Sequence, residues 1–102
     1  MHIVVFEFTL KDGVRDRYFE LAAKMRDEIE GQPGFISIER FESLNDQSKV
    51  VSISTWESDE AIKEWKKNLE HREAQRQGKE SIFETFRLRV AEVIRDYGFD
   101  HR

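Results

Sequence analysis

Trp65, Asn68 and His71 follow one another at three-residue spacing, which a helix sets as a loose stripe, with Gln75 continuing it. A neutral histidine can take a phenolic proton near neutral pH. An amide at Asn68 can orient a substrate's oxygens, and the indole of Trp65 can wall a flat aromatic pocket by stacking. Each residue also has a plainer reading. His71 can be a solvent-facing or interface histidine, and Trp65, spaced with Ile62 and Leu69, can simply pack.

Glu7 is the second point of interest. It sits in a run of Ile, Val and Phe, where a carboxylate is costly unless paired. Arg87 and Arg89 fall on the strand expected to neighbour it. A structural Glu–Arg pair is one reading, and a general base with a raised pKa is the other. Arg87 also suits holding an anionic or phenolate oxygen. The candidate set is therefore His71 and Asn68 for catalysis, with Trp65, Glu7, Arg87 and Arg89 lining a substrate pocket. Tyr18 and Tyr97 are lesser candidates, the latter in a Tyr97-Gly98-Phe99 segment that can fold over a pocket mouth.

Other chemistries find no support. The 102 residues include no cysteine, which removes disulfides, thiolate metal sites and cysteine nucleophiles and fits a reducing cytoplasm. Histidines at 2, 71 and 101 match no metal-ligand spacing. There is no Gly-rich phosphate loop and no GxSxG nucleophile motif. The net charge is −4, and the most basic stretch, 63–79, also holds Glu64, Glu70 and Glu73, so nucleic acid is not the expected partner. No run approaches the roughly 20 apolar residues of a membrane helix. Residues 1–7 carry an early glutamate and read as a strand rather than a signal peptide.

These side chains must be positioned by the elements around them. Residues 2–10 form a strand with Val4, Phe6 and Phe8 on one face and Ile3, Val5, Glu7 and Thr9 on the other. A Lys11-Asp12-Gly13 turn follows, with Asp12 as a helix cap. Residues 14–30 place Val14, Tyr18, Leu21, Ala22, Met25 and Ile29 on one helical stripe, which Gly31 and Pro33 stop. Residues 34–43 and 49–56 make a second and third strand around a loop at 44–48. Ser58 caps a second helix, with Asp59 and Glu60 at its positive end. That helix is expected to run on to Gln77, with Gly78 ending it. A long fourth strand at 82–95 sets Ile82, Phe86, Leu88, Val90 and Ile94 against Phe83, Thr85, Arg87, Arg89, Ala91 and Val93. One domain spans 1–95, and 96–102 is a tail.

The order β-α-β-β-α-β is α+β, the ferredoxin-like arrangement of a four-stranded antiparallel sheet. Two helices cover one face only, for which Val4, Phe6, Ile36, Ile38, Phe86 and Leu88 are candidates. The other face carries Ile3, Val5, Glu7, Arg87, Arg89 and Val93, too apolar for water and too polar for an ordinary core. A second copy of the sheet would enclose it as a cavity, so a homodimer is expected.

Several pieces resemble the antibiotic biosynthesis monooxygenase-like domains, the dimeric α/β barrels. They are Pro33-Gly34-Phe35 opening strand two, Trp56-Glu57-Ser58-Asp59-Glu60-Ala61 before helix two, Trp65 one turn later, and Arg-Val-Ala-Glu-Val at 89–93. The resemblance covers nearly the whole chain. It implies one of two activities. Some members oxygenate phenols or quinols with no metal or flavin, the substrate supplying the electrons. Others degrade haem with an asparagine on strand one, a tryptophan on helix two and a histidine further along. Here Trp65 matches the tryptophan, but Glu7 stands where the asparagine would be, and His71 comes several residues too early. The expectation is cofactor-independent oxygenation of a small aromatic. Haem degradation stands second, and a non-enzymatic dimer that binds a small molecule stands third.

Overall fold

The computed structural model describes residues 1–75 and 82–101, the side chains of 70–75 excepted. Six elements follow in the expected order: β1 (His2–Leu10), α1 (Arg15–Glu30), β2 (Phe35–Glu42), β3 (Lys49–Trp56), α2 (Asp59–Gln75) and β4 (Phe83–Glu92). The strands form one antiparallel sheet in the order β2-β3-β1-β4. The expected end of the second helix at Gln77 and Gly78 lies outside the described residues. No helix is long and apolar enough to cross a membrane.

Alternation along β1 divides the sheet into two faces. Phe8 pairs across to Val50 and Phe86, and Phe6 to Ser52 and Leu88. These residues share the face on which α1 and α2 lie, where Phe8, Val50 and Trp56 are almost fully buried. Tyr18 and Ala22 of α1 close over Phe8, Leu10 and Val50. Ile62 and Trp65 of α2 close over Trp56 and Ile29. Burying rings of this size contributes roughly 2–3 kcal/mol each.

Two local irregularities shift side chains from where simple alternation puts them. The β1–β4 register moves between Thr9 and Leu10, so that Leu10 faces Phe83 while Thr9 faces Thr85. The extra residue is Glu84, and it turns Phe83 to the helix face, opposite to the strict alternation expected for residues 82–95. Phe83 then packs on Phe6 and Phe8, with centroids 5.5 and 4.9 Å away. A second shift between Phe35 and Ser37 leaves Ile36 as the extra residue of β2, 49% exposed rather than covered.

The ends of the helices follow local chemistry. Ser58 Oγ accepts from the Ala61 amide at 3.2 Å, the expected cap of α2. Asp12 does not cap α1. The N-cap is Val14, without a side-chain bond, because Gly13 at φ +79° leaves Asp12 two residues short of that position. At the other end, Gly34 (φ +84°) lies so close to α2 that a β-carbon there would stand 2.6 Å from the Ala61 β-carbon. The Glu57 amide donates to the Gly34 carbonyl at 2.8 Å. The PGF and WESDEA pieces thus meet in space: one supplies the only residue type that fits, the other the chain packed against it.

Candidate functional site

The sequence-derived candidates fall on two sides of the sheet. Glu7 pairs in register with Val51 and Arg87, and Val5 with Ile53 and Arg89, all on the face opposite the helices. Arg89 Nη1 stands 3.4 Å from Glu7 Oε1, with both side chains more than one-third exposed. This solvated ion pair spans neighbouring rows of the sheet. Arg87 lies beside Glu7 in register on β4, but only Arg89 pairs with it.

Trp65 and Asn68 belong to the helix side. Trp65 is 9% exposed, with its ring centroid 6.5 Å from that of Trp56, whose Nε1 donates to Ser54 Oγ at 3.0 Å. It is a core residue between α2 and β3. Asn68 Nδ2 donates to Gln32 Oε1 at 2.9 Å and ties α2 to the turn that precedes β2. The backbone of His71 lies in α2, but its side chain is outside the described residues. The sheet therefore separates Trp65 and Asn68 from Glu7, Arg87 and Arg89, and among the described residues no pocket holds both groups.

The helix side has an open apolar strip instead. The helices lean toward the β2–β3 half of the sheet, where α1 meets β2 and α2 meets β3. On the same face, β4 beyond Phe83 has no cover among the described residues: Phe86 is 67%, Leu88 53% and Val90 44% exposed. Phe86 and Leu88, expected under the helices, are on the expected face but without a helix over them, because β4 is the edge strand farthest from that half. Beside them Phe6 packs against Phe83 and Phe86, with centroids 5.5 and 5.9 Å away, in an edge-on and tilted cluster. An uncovered row of large apolar side chains next to an aromatic cluster is a surface suited to an apolar partner or ligand. Strict alternation hides part of it, since the bulge at Glu84 is what brings Phe83 into the cluster.

Tyr18 and Arg40 form a part-buried polar contact under α1. Arg40 Nε donates to the Tyr18 hydroxyl at 3.0 Å. Burial pushes the phenol pKa above its usual 10.0, and the guanidinium partly offsets this. The bond directs the hydroxyl toward β2, away from the open strip on β4. The Tyr97-Gly98-Phe99 segment does not fold over a pocket of its own chain. Tyr97 and Phe99 are 89% and 81% exposed, and the Phe99 ring stacks edge-on against His101.

The haem pairing implied by the resemblance needs a strand-one residue and a helix-two tryptophan facing one group, but Glu7 and Trp65 stand on opposite faces and Trp65 is consumed by packing on Trp56. Among the described residues no cluster of three or more His, Cys, Asp or Glu could hold a metal ion.

The architecture matches known proteins closely. The haem degrader MhuD of Mycobacterium tuberculosis, solved with two haems in its active site, superposes with a TM-score of 0.72 at 20% identity, covering 96% of this chain and all of that one. SnoaB, a cofactor-independent oxygenase of Streptomyces nogalater, superposes at 0.74 and 18% identity over 93% of this chain and 94% of its own. At these identities the likeness is one of fold. In sequence, the jasmonate monooxygenase ABM of Pyricularia oryzae is 30% identical over 91% of this chain, which spans only 43% of that protein's length. YqjZ of Bacillus subtilis, an uncharacterised protein, is 32% identical over 76% of this chain and 67% of its own. The model of one family, described as antibiotic biosynthesis monooxygenase, matches residues 1–77, and the chain belongs to that family.

Proposed function

We propose that this chain oxygenates a small aromatic substrate of the phenol or quinol class, in the cleft along the helix side of β1 and β4, acting as a homodimer and drawing its electrons from the substrate. The observation that carries this reading is the exposed strip of Phe86, Leu88 and Val90 beside the rings of Phe6 and Phe83. Membership in a monooxygenase family supports the reaction type.

The chemistry needs little from the protein beyond a dry, flat site and a base. His71 takes the phenolic proton. The phenolate then passes electrons to dioxygen, and a ring carbon forms a bond to one of its oxygens. The resulting hydroperoxide loses water as its O–O bond breaks, leaving a quinone. One phenol and one dioxygen thus become one quinone and one water, with no external reductant. Phe6, Phe83 and Phe86 stack on the ring.

Oxygen uptake with a panel of hydroquinones and phenols tests this. Turnover that falls by about 10²–10⁴ in His71→Ala is the expected result for a lost general base. Unchanged turnover removes His71 from the mechanism. Fold likeness to MhuD keeps a haem reading in view, and haemin titration decides it: a Soret shift at micromolar protein would favour that reading. A dimer that carries a small molecule through native mass spectrometry yet consumes no oxygen would instead favour a binding role.

A further inference from the structure

The open strip on the helix side is apolar along most of its length and polar at one end. In register across β1 and β4 its rows are Phe8–Phe86, Phe6–Leu88, Val4–Val90 and His2–Glu92. The rings of Phe6, Phe83 and Phe86 gather toward one end. At the other end His2 and Glu92 are the first side chains along these rows that can hydrogen-bond. Backbone pairing fixes His2, although it is the second residue. It faces Trp56 of β3 on one side and Glu92 of β4 on the other, and the Val93 amide donates to the Met1 carbonyl at 3.0 Å. Alternation with Val4 and Phe6 turns its side chain to the helix face.

The imidazole of His2 is half-buried and makes no hydrogen bond within the chain. Its Nδ1 is enclosed without a partner, the one such side-chain atom among the described residues. Buried polar atoms are nearly always satisfied, and leaving one unpaired is costly. Intramolecular bonding therefore does not explain a histidine at this position. Nε2 also lacks a partner but is not enclosed, so it is the nitrogen a ligand on the strip can reach. It accepts or donates there according to tautomer. Glu92 is exposed and directly opposite, in a pair whose β-carbons lie about 4.5–5.5 Å apart. Its charge repels an anionic group from this end and leaves a neutral hydroxyl as the favoured partner of the ring.

We propose that His2 Nε2 binds a neutral oxygen at the far end of the substrate, so that the strip selects aromatics with a hydroxyl at each end. This rests on the placement of the substrate along β1 and β4 given above, and adds the contact that holds its end away from the Phe cluster. Two rows separate His2 from Phe6, about 13 Å at about 3.3 Å per residue, which suits two linked phenol rings better than one.

The test compares para,para′-dihydroxybiphenyl with para-phenylphenol, bound to the full chain without oxygen and followed by calorimetry and by nitrogen NMR of the imidazole. Wild type is expected to bind the diol about fivefold more tightly, the effect of one added hydrogen bond. The His2 Nε2 resonance moves with the diol and not with the single phenol, a readout that stands whether or not any variant folds. His2→Phe brings the affinity ratio to about one, and His2→Gln, which keeps a donor and an acceptor, restores part of it. Replacing the far hydroxyl by a carboxylate weakens binding, and Glu92→Gln narrows that difference. A ratio near one in wild type, a fivefold ratio kept in His2→Phe, or failure of both biphenyls to bind would overturn the proposal. Oxygen uptake is read separately. A diol bound with the expected ratio but never oxidised would overturn the oxygenase reading and leave the His2 contact standing, and turnover without that ratio would do the reverse.

Discussion

Glu7 and Trp65 stand on opposite faces of the same sheet: Glu7 lies in a row with Val51 and Arg87, while Trp65 is packed against Trp56 beneath α2. Both were candidates for one pocket, and the sheet lies between their side chains. This separation leaves Glu7 in a solvated charge group and Trp65 in the core beneath α2.

Trp65 and Asn68 are expected to act on stability. Trp65→Ala removes a buried indole and is expected to cost about 3–5 kcal/mol, read as a large drop in Tm. Asn68→Ala loses one exposed hydrogen bond to Gln32 and should cost no more than about 1 kcal/mol, with oxygen uptake retained. Turnover abolished in Asn68→Ala with an unchanged Tm would return Asn68 to the catalytic group.

Gly34 sits at φ +84° with Ala61 in the space a β-carbon would need. Gly34→Ala is expected to destabilise the chain by about 1–3 kcal/mol through strain and overpacking. Ala61→Gly relieves the clash but not the dihedral strain. The double variant should therefore be less destabilised than the sum of the two single changes, a coupling that thermal unfolding of all four proteins measures directly.

Tyr18 makes stability depend on alkaline pH. Burial raises its folded-state pKa above the usual 10.0 of an exposed phenol. Its contribution is full below that usual value, because both states then hold the proton. It is lost as pH climbs through the folded-state value, since the unfolded phenol ionises first. Tyr18→Phe should flatten this alkaline limb in urea unfolding, at the expense of about 1 kcal/mol at neutral pH from the lost Arg40 bond. An alkaline limb identical to wild type would mean that another group carries it.

Asp46 works in the opposite direction. Its carboxylate accepts from the Ser48 amide at 2.9 Å and the Ser48 hydroxyl at 2.6 Å, which holds its pKa below the ordinary value of 3.8. The stabilisation is present above that value and fades as pH falls through the lowered one. Asp46→Asn should remove this part of the acid dependence, read as a smaller change in unfolding midpoint under acid.

The order of elements, the cap at Ser58, the stop at Gly31 and the turn after β2 were legible because each depends on local chemistry: alternation, a hydroxyl before a helix, a glycine, an Asx turn. The family was legible because PGF and WESDEA meet at one tight packing point. The position of Phe83 was not, since a one-residue bulge reverses every alternation beyond it and leaves no clear mark in composition. Nor was the openness of β4. Phe86 and Leu88 have the right face and the right hydrophobicity, but whether a helix covers them depends on where α1 and α2 lie across the sheet, a tertiary choice that periodicity does not encode. Glu7 looked like a pocket residue because an acid among aliphatics is costly. The sheet resolves that cost with Arg89 and partial exposure.

The central claim is that the substrate lies on the helix side of β4. Oxygen uptake with the best hydroquinone of a panel, compared between Leu88→Arg and Glu7→Gln, tests it most directly. Leu88 is 53% exposed, so the arginine should leave the fold intact while placing a charge in the cleft. Leu88→Arg is expected to lose at least about tenfold in kcat/KM, near 1.4 kcal/mol of transition-state binding, while Glu7→Gln keeps wild-type turnover. A folded Leu88→Arg protein with wild-type turnover, alongside loss of activity in Glu7→Gln, would contradict it and move the site to the other face.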